Sequence, residues 1–165
     1  MEAARLVFEW LPKAYENGQN MEAREAMHHA STIAGMAFAN VSLGIVHSLA
    51  HSLGGQFGIT HGLANAILLP YVIEYNRQNT NKYDLIEKKL GIGNLSDAIR
   101  NLNKILEIPS SFNKLNQISE EKFQEVLKEM SQNAFEDACT YTNPRETNAE
   151  ELAELFKNTY YGLNV

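Results

Sequence analysis

At 165 residues, with 44% hydrophobic and 21% charged side chains, the chain has the length and composition of one globular domain with a sizeable core. A net charge of −6 and a pI near 5.4 argue against nucleic acid as a partner, because a phosphate backbone needs clustered Lys and Arg. The single cysteine excludes an internal disulfide and points to a reducing compartment, with the cytoplasm as the default.

The N-terminus carries Glu2, Arg5 and Glu9 where a signal peptide would be apolar. It enters a helical pattern at Met1 without a cap, a strand or a leader, and so reads as the start of a fragment. Leu6, Val7, Trp10, Leu11, Ala14 and Tyr15 then recur at helical spacing, Pro12 is placed to kink the helix, and Asn17-Gly18 supplies a stop. Asn20 caps a second helix, Met21 to Phe38. Its small residues from Ala30 to Ala39 let backbones approach closely and predict the buried axis of the domain.

Val41 to Leu53 is apolar on nearly all sides, the pattern of a helix enclosed by others, and Gly54-Gly55 marks its end. The stretch from Ile33 to Leu53 has the length of a bilayer span. Its two histidines, Asn40, several glycines and lack of flanking basic clusters instead favour a buried helix pair and no membrane. Gln56 to Thr60 form a connection. His61-Gly62 opens the next helix, Leu63 through Tyr75, which Pro70 bends.

Ordinary amphipathic helices follow. Tyr83, Ile86 and Leu90 mark one that ends at Gly91, and Ser96 to Leu106 marks another, closed off by Pro109. Ser119 caps a helix carrying Phe123, Val126, Leu127 and Met130 inward, and Ala134 to Ala138 forms a separate short helical turn. Asn148 caps the last helix, whose Leu152, Leu155, Phe156 and Tyr160 form a core stripe before Gly162. No window alternates with period two, so the chain reads as all-α, a single multi-helix bundle over residues 1–165. GxGxxG and GxxxxGKS are both absent, which places the main site of any dinucleotide elsewhere.

The apolar centre carries three of the five histidines, His47, His51 and His61, and a buried imidazole without a partner costs roughly 1–3 kcal/mol. Four residues separate His47 from His51, which puts both rings on one helix face. His61 opens a helix, where the partial positive charge favours neutral imidazole, the form that binds metal. Spacing alone makes His47 and His51 the natural chelating pair and leaves His28 and His29 out.

The segment Met27 to Asn76, with AGMAF, SLG, VHxxAH, LGG, HG and NAILLP in order, resembles the signature region of the iron-dependent (group III) alcohol dehydrogenases. That family includes lactaldehyde reductase and butanol dehydrogenases. Cys139-Thr140 and Asn143-Pro144-Arg145 resemble its CTxxNPR element. The resemblance implies the C-terminal helical domain of the dehydroquinate synthase-like fold, lacking an N-terminal nucleotide-binding domain. It implies Fe2+, or Zn2+, with His47 and His61 as two ligands and an Asp and a His upstream of Met1 as the others. It assigns His51 to proton relay instead of the metal, and Phe38, Leu43 and Cys139 to the substrate and nicotinamide pocket. Phe38, Leu43 and Leu53 would form its apolar wall. The family usually has proline before the second ligand histidine, where this chain has Thr60.

The implied reaction is reversible hydride transfer between NAD or NADP and a primary alcohol or aldehyde. The full-length protein would be a homodimer and the isolated domain inactive. Two other readings remain. One is a self-contained helical metal-binding or interaction domain, with a fourth donor from His28, His29, Asp137 or Cys139. The other is a relative of the zinc-dependent glycerol dehydrogenases.

Overall fold

The computed structural model describes residues 1–163, which contain eight α-helices and no strand. They are α1 Glu2–Glu16, α2 Met21–Val41, α3 Ile45–Phe57, α4 His61–Arg77, α5 Lys82–Leu90, α6 Leu95–Ile105, α7 Glu120–Glu136 and α8 Ala149–Tyr161. Local chemistry sets seven of the sixteen helix ends. The side chains of Asn20, Asn94, Ser119 and Asn148 accept from the backbone N–H three residues on, and Gly58, Gly91 and Gly162 take the left-handed conformation that closes α3, α5 and α8.

The core lies between α3, α4, α7 and α8. Leu49, Leu53, Leu68, Phe123, Met130, Leu152 and Phe156 are fully enclosed there, and Phe123 stacks on Tyr160 with ring centroids 4.1 Å apart. The stripes expected on α7 and α8 face this core. α4 packs on α3, α6 and α8, while α7 packs on α3 and α8. Pro12 and Pro70 lie inside α1 and α4 without ending either helix.

Four expectations are corrected. The buried axis is α4, not α2. Residues from Ala64 to Asn76 of α4 are mostly enclosed, whereas only Ala23 and Ala30 of α2 are buried and α2 packs on α1. Small residues permit close approach but do not compel it, and Ile33, Met36, Phe38 and Val41 of α2 are exposed. The α2–α3 break falls at Ser42 to Gly44, with Ser42 at φ 61°, so Val41 ends one helix and does not begin the next. Gly54 and Gly55 continue α3, since a helix interior tolerates glycine at about 1 kcal/mol, and the stop comes at Gly58 with φ 66°. Ala134 belongs to the last turn of α7, which ends at Glu136 with Asp137 as its C-cap.

A side-chain latch joins the segment after α7 to the α3–α4 pair. Asn143 and Asn76 exchange amide hydrogen bonds of 2.8 and 2.9 Å, and the Asn143 Oδ1 also accepts from Ile45 N at 3.5 Å. The Arg145 guanidinium stacks over Tyr75 at 3.7 Å, donates to the Tyr75 carbonyl at 3.1 Å and pairs with Glu151 at 3.0 Å. This fixes the first residue of α3 two positions before His47. No single helix among the described residues is long and apolar enough to cross a membrane.

Candidate metal centre

His47 lies in the first turn of α3, His51 one turn further on, and His61 is the first residue of α4. The tight α3–α4 connection therefore folds the three side chains onto one face. Nε2 of His61 lies 3.1 Å from Nδ1 of His47. Ring centroids are 5.0 Å apart for His47 and His61, 5.3 Å for His51 and His61, and 6.1 Å for His47 and His51. One nitrogen of each ring falls within 4.8 Å of the others. His47 is half-buried, while His51 and His61 are exposed.

Burial, and then the neighbouring His61 and His51, lower the pKa of His47, although Asp137 pulls it the other way. Neutral imidazole is the form that offers a lone pair to a cation. Two nitrogens converging at 3.1 Å, with the neutral form of one ring favoured, fit part of a divalent-metal donor set and leave the rest of the coordination sphere to other groups.

The geometry groups the histidines differently from their spacing. His47 pairs with His61 across the turn, while His51 Nδ1 lies 2.9 Å from Asp137 Oδ2. Asp137 is the C-cap of α7, and its Oδ1 accepts from Cys139 N at 2.8 Å and from Ser48 Oγ at 3.1 Å. Burial raises the Asp137 carboxyl, but bonds from His51, Cys139 and Ser48 outweigh it and hold the group below the usual carboxylate range. The half-buried Cys139 thiol is pushed up, first by burial and then by Asp137.

The residues assigned to the pocket divide. Cys139 stands beside Asp137 and His51. Leu43, in the α2–α3 break, borders an apolar cavity of about 710 Å³ enclosed by α1, α3, α4, α5 and α6, to which His47, Asn76 and Asn143 also contribute. Phe38 is 48% exposed and lines a separate shallow depression with Leu43 and Thr142. Leu53 is enclosed in the core and lines neither space, so the proposed wall of Phe38, Leu43 and Leu53 does not form among the described residues. His28 and His29 are exposed on α2, and Asp137 is the acid that folding brings to a histidine. Its separation of 86 residues from His51 left no spacing to read. Nothing in the sequence around Ser48 distinguishes it from an ordinary helix serine.

An all-helical domain that gathers three imidazoles on one face, at the joint between two helices, is the class this structure defines. The model of the Fe-containing alcohol dehydrogenase family, C-terminal, matches residues 1–160. The chain is 41% identical over 175 aligned positions to the NADPH-dependent butanol dehydrogenase of Clostridium saccharobutylicum, covering 100% of this chain and 44% of that protein. It is 37% identical over 170 positions to the NAD-dependent methanol dehydrogenase of Bacillus methanolicus, covering 96% and 43%. An iron-containing alcohol dehydrogenase structure from Thermococcus thioreducens superposes with a TM-score of 0.88 at 33% identity, covering 98% of this chain and 43% of that one. The chain belongs to the iron-containing alcohol dehydrogenase family and corresponds to its C-terminal helical domain. It spans less than half the length of the curated relatives it matches.

Proposed function

We propose that this chain supplies the helical, metal-binding half of an NAD(P)-dependent iron-type alcohol dehydrogenase, which transfers hydride reversibly between a nicotinamide and a primary alcohol or aldehyde. The observation that carries this is the convergence of His47 Nδ1 and His61 Nε2 at 3.1 Å, in a chain whose relatives are alcohol dehydrogenases. His47 and His61 would hold Fe2+, or Zn2+, together with ligands from outside these 165 residues. A metal bound there would supply a Lewis acid to polarise an alcohol or aldehyde oxygen.

The chain's own residues do the rest. His51 passes the alcohol proton toward solvent, since its ring is exposed and sits beside the two ligands. Leu43 and Cys139 edge the space where substrate and nicotinamide meet. Phe38, exposed on α2, shares a depression with Leu43 and borders the same space. A nucleotide-binding domain outside this chain carries most of the NAD or NADP, consistent with the absence of a dinucleotide motif here. The complete protein works as a homodimer in the cytoplasm.

The test is turnover and metal binding together. The 165-residue chain with Fe2+ should give no alcohol-dependent nicotinamide reduction, and joining it to the N-terminal part of a family relative should restore turnover. Robust turnover by the chain alone contradicts its role as one half. A second reading, a complete three-histidine zinc site, draws on the 4.8 Å spacing of all three donors. Metal titration separates the two. The proposal expects weak binding that His47→Ala and His61→Ala abolish and His51→Ala preserves, whereas a three-histidine site loses affinity with any of the three.

A further inference from the structure

Three imidazoles lie close enough to share one cation, yet the fold treats one of them differently. His47 Nδ1 and His61 Nε2 face each other, while His51 turns Nδ1 to the Asp137 carboxylate at 2.9 Å. An ionised carboxylate only accepts hydrogen bonds, so Nδ1 of His51 must carry the proton. In the neutral ring Nε2 is then the lone-pair nitrogen. Asp137 is itself pinned, because its second oxygen accepts from Ser48 Oγ at 3.1 Å and from the Cys139 N–H at 2.8 Å. It cannot turn away from His51 without giving up both.

We propose that Asp137 is a positioning residue that fixes His51 as the Nδ1–H tautomer, leaving Nε2 as the ring's proton acceptor and withholding Nδ1 from a metal held by His47 and His61. The consequence deepens, and rests on, the reading of His51 as the proton relay. A relay must accept the alcohol proton, and the opposite tautomer would present an N–H donor at Nε2. The same bond explains why an imidazole so near the ligand pair stays outside it. A carboxylate on the far nitrogen of a histidine sets tautomer and ring orientation wherever the arrangement occurs.

The tautomer is measurable without turnover. In the 15N-labelled chain, metal-free and at a pH above the imidazole range, long-range proton–nitrogen correlation spectra distinguish a protonated ring nitrogen from one bearing a lone pair. The expected wild-type spectrum shows His51 with a protonated-type Nδ1 and a lone-pair-type Nε2. Asp137→Asn is close to isosteric. Two donors, Ser48 Oγ and the Cys139 N–H, claim its amide oxygen, so its NH2 group faces His51 and donates. The ring must then accept at Nδ1, and the two nitrogen shifts of His51 should exchange while those of His28 and His29, exposed on α2, stay in place. A wild-type His51 protonated at Nε2, or a folded Asp137→Asn protein with unchanged His51 shifts, overturns the proposal. The wild-type spectrum decides the matter even if the variant does not fold. An unaltered kcat for His51→Ala in a complete enzyme would instead sink the relay reading and leave the tautomer assignment standing.

Discussion

The segment from Asp137 to Arg145 meets the α3–α4 pair at both of its ends, and the two ends are built on opposite plans. At the Arg145 end, Asn76 is 2% exposed, its amide is matched group for group by Asn143, and Arg145 is spread over Tyr75 and Glu151. At the Asp137 end, three imidazoles crowd an accessible face, and one of them is tied to a carboxylate. The first region spends its polar groups on one another and so holds backbone in place. The second leaves imidazoles open to solvent at the surface, and it is the candidate metal centre. Motif residues close in sequence thus take separate physical roles.

The largest effect should come from breaking the closed end. Asn143→Ala strands the amide of buried Asn76 and the Ile45 N–H, and should cost about 3 kcal/mol in urea unfolding. A loss below about 1 kcal/mol would mean that the latch does not hold α3. Arg145→Met keeps an apolar stem but loses the Glu151 pair, the bond to the Tyr75 carbonyl and the cationic stack, an expected loss of about 1–2 kcal/mol by the same measurement.

Acid should erode both ends. The Tyr75 hydroxyl, and with it Arg145, holds Glu151 below the usual carboxylate range, and Asp137 is depressed as well. A carboxylate with a lowered folded-state pKa stabilises above its unfolded pKa, and that contribution is lost as pH falls through the folded value. Stability should therefore fall as pH drops through and below the ordinary carboxylate range. Glu151→Gln should flatten that acid limb while leaving the slope near neutrality unchanged, as read from urea midpoints across pH. The smallest effects belong to the open end. His51→Ala and His61→Ala, at exposed positions outside the core, should each stay within about 0.5 kcal/mol of the wild type. A larger loss would show that these rings are structural.

What could be read from the chain was what is local. α8 was legible because Asn148 and Gly162 bracket a clean apolar period, and α7 because Ser119 precedes one. The glycine pair after His51 misled, since a helix ends where backbone must turn left-handed, and Gly58 meets that need. α2 misled for another reason: small residues describe what a helix allows, while tertiary partners decide what it buries. In the candidate site, His47, His51 and His61 were visible as a cluster because the first and last are only 14 positions apart. The resemblance to the family, and not the spacing, pointed to His47 with His61. Asp137 and Ser48 reach His51 only through the packing of α7 on α3, which no window of sequence displays.

The division of labour among the three imidazoles is open to one direct measurement, a Zn2+ titration of the 15N-labelled chain followed at the histidine ring nitrogens. The expected result is that Nδ1 of His47 and Nε2 of His61 move together with one affinity, while Nδ1 of His51 keeps its proton and its shift. Entry of His51 Nδ1 into the responding set, or independent responses from His47 and His61, would contradict it.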